Sequence, residues 1–191
     1  MKKLKGSETE KNLLTSFAGE SQARNRYTYF ASVARKAGYI QISNIFQETA
    51  DNEKEHAKKI FKLLNGGDVE IQASYPAGVI GDTAANLSAS AEGEHLEWTK
   101  LYKGAGRTAQ EEGFDEIAEL FKAIALVEEQ HEKRFRKLLK NIKEGTVFKK
   151  EKVVKWKCLN CGYVHEGKAP PEKCPACAHP QEYYELLGEN Y

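Results

Sequence analysis

Two sets of residues in this chain carry chemistry. Glu20, Glu53, Glu94 and Glu128 recur along its longer N-terminal part, and two of them stand three positions before a histidine, as Glu53-x-x-His56 and Glu128-x-x-His131. Cys158-x-x-Cys161 and Cys174-x-x-Cys177 follow near the C-terminus, with residues 162–173 between the pairs. A Glu and a His at i and i+3 share one helix face. One Glu from each of two helices, with Glu-x-x-His from each of two more, is the ligand pattern of a di-iron carboxylate centre. Carboxylate oxygen with imidazole nitrogen suits iron or manganese. Four thiolates in two such knuckles make a tetrahedral site for zinc or iron.

These ligands need four helices. From about Ser7 to Ile142, apolar residues recur at spacings of three and four, and Pro76 is the only proline. Four stripes result. The first is Leu13, Phe17, Glu20, Arg24, Tyr27, Ala31 and Ala34, stopping at Gly38. The second is Ile42, Ile45, Thr49, Glu53, His56, Ile60 and Leu63, stopping at Asn65-Gly66-Gly67. The third, opened by an Asp82 N-cap, is Leu87, Ala91, Glu94, Trp98, Leu101 and Ala105, ending by Gly113. The fourth is Ile117, Phe121, Ile124, Glu128, His131, Phe135, Leu138 and Ile142. Short turns at Gly38 and Gly113 make antiparallel neighbours, and residues 68–81 supply the single long crossover of a ferritin-like bundle. The Glu20-to-Glu53 and Glu94-to-Glu128 separations differ by one position, so each hairpin offers one Glu and one Glu-x-x-His. An isolated Glu-x-x-His is ordinary on a charged helix. Four carboxylates on four apolar stripes are not, because unpaired buried carboxylates cost several kcal/mol each.

Glu97, three residues after Glu94, leans toward the same centre. It makes a fifth carboxylate, more than two ferrous ions need and better suited to two ferric ones, which predicts a redox-dependent ligand. Its alternative is a rim carboxylate paired with lysine. Tyr27 and Tyr102 are placed to donate to a ligating carboxylate, or simply to pack. Arg24 reads as a salt-bridge partner, His95 as surface, and Trp98 as core.

After Gly145 the pattern changes. Val147, Val153, Val154 and Trp156 predict short strands, and Pro170, Pro171, Pro175 and Pro180 argue against a helix. The expected units are residues 1–146, a helical bundle, and 147–191, a small β-rich module. A module this small usually needs a metal or disulfides to hold it. Lys149, Lys150, Lys152, Lys155 and Lys157 read as a solvated connector. His165 and His179 are left out of the metal site, which four cysteines already fill.

The chain has 191 residues and a net charge of +1, from 29 basic and 28 acidic residues, which gives no hint of a nucleic-acid or membrane partner. Met1 to Lys5 is basic, but no apolar segment follows it, and no apolar run approaches a membrane span. The cytoplasm is the default expectation. Four clustered cysteines in a reducing compartment read as metal ligands rather than disulfides.

The order of these motifs, a bundle with Glu20, Glu53-x-x-His56, Glu94-x-x-Glu97 and Glu128-x-x-His131 followed by Cys-x-x-Cys-Gly-Tyr and Cys-Pro-x-Cys, resembles the rubrerythrins over essentially the whole chain. Compared with isolated rubredoxins the gap between knuckles is short, and Ala178 stands where glycine commonly follows the last cysteine. The resemblance implies a mainly α fold: a ferritin-like four-helix bundle followed by a rubredoxin-like domain. It implies two non-haem irons in the bundle and one iron on Cys158, Cys161, Cys174 and Cys177. It further implies a peroxidase that reduces hydrogen peroxide to water in oxidative-stress protection, with electrons from NAD(P)H through a reductase or rubredoxin. It implies a homodimer in which one subunit's cysteine site feeds the other's bundle, and an iron that shifts between Glu97 and His56. The residues expected to act at the reacting centre are Glu97, His56, Tyr27 and Tyr102. Ferroxidase or iron-handling activity, dioxygen reduction and a zinc-ribbon interaction protein are the rival readings.

Overall fold

The computed structural model describes residues 3–189, so the outermost limits of the expected units, at residues 1 and 191, and the start of the basic segment lie outside the described residues. Two hairpins build the bundle. The first pairs α1 (Glu8–Lys36) with α2 (Ile40–Phe61). The second pairs α5 (Asp115–Lys143) with α3 (Thr83–Leu96) and α4 (Tyr102–Glu111), which a π-helical turn, Glu97–Leu101, joins into one rod. Ser7 caps α1 by accepting from the Glu10 amide, and Asp82 caps α3 by accepting from the Ala85 amide at 2.7 Å. Gly38 and Gly113 turn the chain at φ 81° and 76°, in the left-handed region open to glycine. No regular structure forms in the crossover between Asp68 and Gly81. Fold class and motif order thus stand as the sequence predicts.

The π turn corrects the third stripe, which the periodicity reads as a single α-helix. A π turn holds one extra residue, and one residue rotates the following register by about 100°. Leu101, expected inside, is therefore 53 % exposed, while Tyr102 is 4 % exposed. The inward row beyond the turn is Tyr102, Ala105, Gly106 and Ala109. On α1, Arg24 faces solvent and no ion pair involves it among the described residues; Ala23 takes the inward place. Leu13, Glu20, Ala23, Tyr27 and Ala34 follow the true 3.6-residue period, from which an uninterrupted spacing of four drifts away.

Two apolar clusters fill the bundle. One gathers Tyr27, Phe30, Phe46, Leu87 and Phe135; the other gathers Leu13, Ile60, Tyr102, Phe121 and Ile124. Glu20, Glu53 and Glu128 lie in sequence between members of the two clusters on their own helices, and Glu94 lies between Ala91 of α3 and Tyr102 of α4, so the polar layer divides the core.

The C-terminal module is a three-stranded antiparallel sheet in the order β2 (Val164–Gly167), β1 (Val154–Cys158), β3 (Tyr184–Leu186). Val147 and Val153, expected in strands, lie outside them. The module's small core is Trp156, Tyr184, Cys158 and Cys174, and Trp156 Nε1 donates to the Gly167 carbonyl at 3.0 Å. It rests on the start of α2: Tyr39 stacks on Phe148 with ring centroids 6.3 Å apart, and Gln41 Nε2 meets Glu185 at 3.5 Å. Among the described residues, no helix is long and apolar enough to cross a membrane.

Candidate metal centres

In the bundle, ligand atoms converge in two overlapping groups. Glu20, Glu53, His56 and Glu128 form one; Glu53, Glu94, Glu128 and His131 form the other, and within each group the atoms lie within 4.8 Å of one another. Glu53 and Glu128 belong to both, so they are placed to bridge two ions, with Glu20 and His56 at one and Glu94 and His131 at the other. Both imidazoles turn Nδ1 inward. His56 Nδ1 lies 3.0 Å from Glu53 and 3.1 Å from Glu128; His131 Nδ1 lies 2.7 Å from Glu128 and 3.1 Å from Glu53.

The residues fit a metal pair on an observation independent of motif. Glu53 Oε1, Glu94 Oε2, both Glu128 oxygens and His131 Nδ1 are buried and, despite their close approach, make no well-aligned hydrogen bond, although buried polar atoms are otherwise nearly always paired. Their shared missing partner is a cation. The outward nitrogen of His131, Nε2, donates to Asn52 Oδ1 at 3.3 Å, which fixes the tautomer that leaves Nδ1 free to ligate. Nothing in the sequence singles out Asn52, whose position next to Glu53 is not by itself a signal.

Tyr27 and Tyr102 enter as a reciprocal pair. The Tyr27 hydroxyl of α1 donates to Glu94 of α3, and the Tyr102 hydroxyl of α4 donates to Glu20 of α1. Each steadies an unshared carboxylate and leaves the shared pair free. Glu97 belongs to neither group and is only partly buried at the first position of the π turn. The four gathered carboxylates match the four charges of two ferrous ions, and Glu97 is the fifth that the sequence count associates with the ferric pair.

Electrostatics describe a site that waits for positive charge. Burial, then the neighbouring Glu53 carboxylate, pushes Glu20 and Glu94 well above the usual carboxylate range. Burial, then Glu128, raises Glu97 to about 8. Burial works against charge on the histidines too, but contacts with Glu128 and its neighbours outweigh it and raise His56 to about 12 and His131 to about 9. Glu53 is desolvated as well, yet its histidine contacts bring it down to about 2. A group whose folded pKa is raised stabilises the fold below its unfolded pKa, and the contribution fades as pH climbs to the folded value. For Glu97 that window runs from 4.5 to about 8, and for His131 from 6.5 to about 9. The metal-free bundle should therefore melt several degrees lower at pH 8.5 than at pH 5.5 in thermal scans by circular dichroism. Metal loading should abolish that slope by replacing the protons.

In the module, the Cys158–Cys177 and Cys161–Cys174 sulfurs are 3.8 and 3.7 Å apart. A tetrahedron of sulfurs about 2.3 Å from its centre has edges of about 3.8 Å, so these two opposite edges match a bound zinc or iron, and all four sulfurs lie within 4.8 Å of one another. They are far too distant to be disulfides. The backbone amide of His179 draws the Cys177 thiol down to about 6, toward the thiolate a metal needs. His165 and His179 stay outside the cluster, as expected. The two knuckles are alike: Gly162 N donates to Cys158 O at 2.8 Å, and Ala178 N donates to Cys174 O at 2.9 Å. Gly162 takes φ 80°, and Ala178 takes φ 60°, the only positive φ of a non-glycine among the described residues. The amide geometry thus survives the alanine at a backbone cost of about 1 kcal/mol. Ala178→Gly should stabilise the module by about that amount in denaturant titrations followed at the thiolate–metal absorption.

Beside the centre, Trp98 is half-buried rather than core, and its Nε1 donates to Glu132. His95 is exposed, as expected, yet its Nδ1 meets the same carboxylate at 3.1 Å. Glu132 stands one residue off the fourth stripe, so the periodicity does not single it out.

Comparison with known proteins agrees with this geometry. The model of the family described as rubrerythrin matches residues 11–139, and that of the rubrerythrin rubredoxin-like domain matches residues 156–185. A rubrerythrin of Nitratidesulfovibrio vulgaris is 63% identical over 191 residues, covering 100% of both chains. One from Porphyromonas gingivalis is 57% identical over 190 residues, covering 100% of this chain and 95% of its own. Among solved structures, nigerythrin in a mixed-valence state superposes with a TM-score of 0.62 at 30% identity, over 96% of this chain and 90% of that one. An open-pore ferritin from Archaeoglobus fulgidus shares the bundle fold alone, with a TM-score of 0.61 at 18% identity over 74% of this chain and 88% of that one. With a carboxylate–histidine centre for two irons and a four-cysteine iron site on one chain, the protein belongs to the rubrerythrin family.

Proposed function

We propose that this oxidoreductase is a non-haem di-iron peroxidase that reduces hydrogen peroxide to water and draws its electrons through its own four-cysteine iron. The observation that carries this reading is the presence, on one chain, of a bundle whose ligand groups suit two ions and a module that gathers four cysteine sulfurs within 4.8 Å of one another. The former suits two-electron chemistry and the latter suits single-electron delivery. Iron storage alone has no use for a wired donor. Residues 1–146 and 147–191 are the two functional units of the proposal.

When bound, the irons supply two electrons to the O–O bond and polarise it as Lewis acids. The protein does the rest. Glu53 and Glu128 would hold the ions as a pair, Glu20 with His56 and Glu94 with His131 would complete each ligand set, and Cys158, Cys161, Cys174 and Cys177 would hold the third iron. Tyr27 and Tyr102 keep protons at their hydroxyl oxygens against Glu94 and Glu20, beside the reacting centre. Glu97, at the π turn, would be the movable carboxylate of the site, the residue able to serve as a ligand in place of His56. Peroxide takes two electrons and two protons and leaves as two waters, and reduced rubredoxin or an NAD(P)H-dependent reductase restores the electrons one at a time.

The module contacts α2 near Tyr39 and Gln41, and Ile40 lies about 20 Å along that helix from Glu53. That span favours delivery from the module of a second subunit, hence a homodimer. A cytoplasmic location is part of the same proposal. Purified protein with reduced rubredoxin should consume peroxide catalytically. Accumulation of ferric mineral without sustained peroxide turnover would instead favour the ferroxidase reading.

A further inference from the structure

We infer that Glu132 is a positioning residue that, through Trp98, fastens the π turn bearing Glu97 to the helix bearing Glu128 and His131. The inference rests on the proposal that Glu97 is the movable ligand.

The π turn needs such a fastening. None of the side chains of Glu97–Leu101 is buried, so apolar packing does not anchor it. Leu101 is thrown outward, and Lys100 is exposed. π turns are rare, and annealing to α would rotate the residues after the turn out of their inward register. The Trp98 indole N–H of this turn donates across to Glu132 on α5, whereas the Thr99 hydroxyl bonds only to the His95 carbonyl one turn back.

The clamp is well built. Glu132 is 8 % exposed and directly follows His131. Its Oε2 accepts from Trp98 Nε1 at 2.5 Å and meets His95 Nδ1 at 3.1 Å, while its Oε1 accepts from Arg136 Nε at 2.5 Å. Arg136 is held in turn by Glu92 at 2.9 Å, back on α3. The His95 ring meets the indole edge-on at 5.6 Å, and Lys103 Nζ lies 4.9 Å over its face. The end of α3 and the π turn itself are thus tied to α5 around one carboxylate. Because Trp98 follows Glu97, fixing the indole fixes the backbone from which the Glu97 side chain swings. Neither Glu132 nor Trp98 belongs to either ligand group, so the effect acts through position.

Trp98→Phe keeps a ring and removes the N–H, and Glu132→Gln keeps the shape while weakening the acceptor. In the iron-loaded full-length protein, amide exchange at residues 97–101 should quicken about tenfold or more in Trp98→Phe, with exchange in α1 and α2 unchanged. The near-ultraviolet bands of the oxidised bundle irons should shift, while the thiolate–iron bands stay put as an internal control. Glu132→Gln should change both readouts in the same direction by less. Wild-type exchange and spectra in Trp98→Phe would overturn the inference. So would a uniform rise in exchange across all helices with a lowered Tm, which is the signature of a merely structural residue. Crystal structures of the wild type in both redox states separate the two layers: an immobile Glu97 refutes the movable ligand and leaves the exchange result to judge the clamp.

Discussion

Glu128→Gln should empty the bundle of both irons and leave the module's iron in place, so that metal analysis falls from three irons per chain to one. Glu128 serves both ligand groups, is fully buried, and has two oxygens that make no hydrogen bond. An amide keeps the volume but removes the charge, and only one of its two ends can ligate. Glu94→Gln is the informative contrast. Glu94 serves one group only, and its contact with the Tyr27 hydroxyl can persist. It should weaken one ion and retain the other. Peroxide turnover should drop more than about a hundredfold in Glu128→Gln, beyond what the loss of a supporting hydrogen bond costs. Equal iron loss in the two variants would show that Glu128 is not shared.

The second large effect belongs to the cysteine site. Cys174→Ser should deprive the module of its metal and unfold it, because a structural metal in so small a domain is worth about 10 kcal/mol or more. The core there is only Trp156, Tyr184 and the buried cysteines themselves. Donor-driven peroxide turnover should fall to the level of the buffer control. A bundle reduced chemically in advance should still consume one equivalent of peroxide at the wild-type rate. Zinc in place of the module's iron should give the same split with the module folded, which separates lost wiring from lost structure. Unimpaired turnover with zinc in the module would show that electrons reach the bundle by another path.

These expectations draw on features that were unequally legible in the sequence. The knuckles were plain because Cys-x-x-Cys is local, and its turn geometry follows from spacing alone. The bundle ligands were plain because a buried carboxylate on an apolar stripe is anomalous without a cation, and four such anomalies at helical spacing constrain one another. The π turn was hidden. It is a register shift of one residue, so Leu101 fits the stripe as well as Tyr102 does, and only packing against α5 decides between them. Arg24 misled for a related reason: steps of four residues drift off a 3.6-residue period, and Ala23 was the inward neighbour. Asn52 and Glu132 sit beside ligands in sequence but act across helices, on His131 and Trp98 respectively, and partner choice of that kind is set by tertiary geometry. Ala178 was legible as a departure from the glycine expected there, and the structure adds that it adopts the left-handed backbone regardless.

The most direct test of the whole account is a rapid-mixing experiment on fully reduced protein with a small excess of peroxide, followed at the thiolate–iron absorption. The four-cysteine iron should reoxidise after the bundle irons, at a rate that accompanies peroxide consumption, and zinc in that site should remove the signal. Peroxide consumed through successive turnovers while the four-cysteine iron stays reduced would contradict the relay.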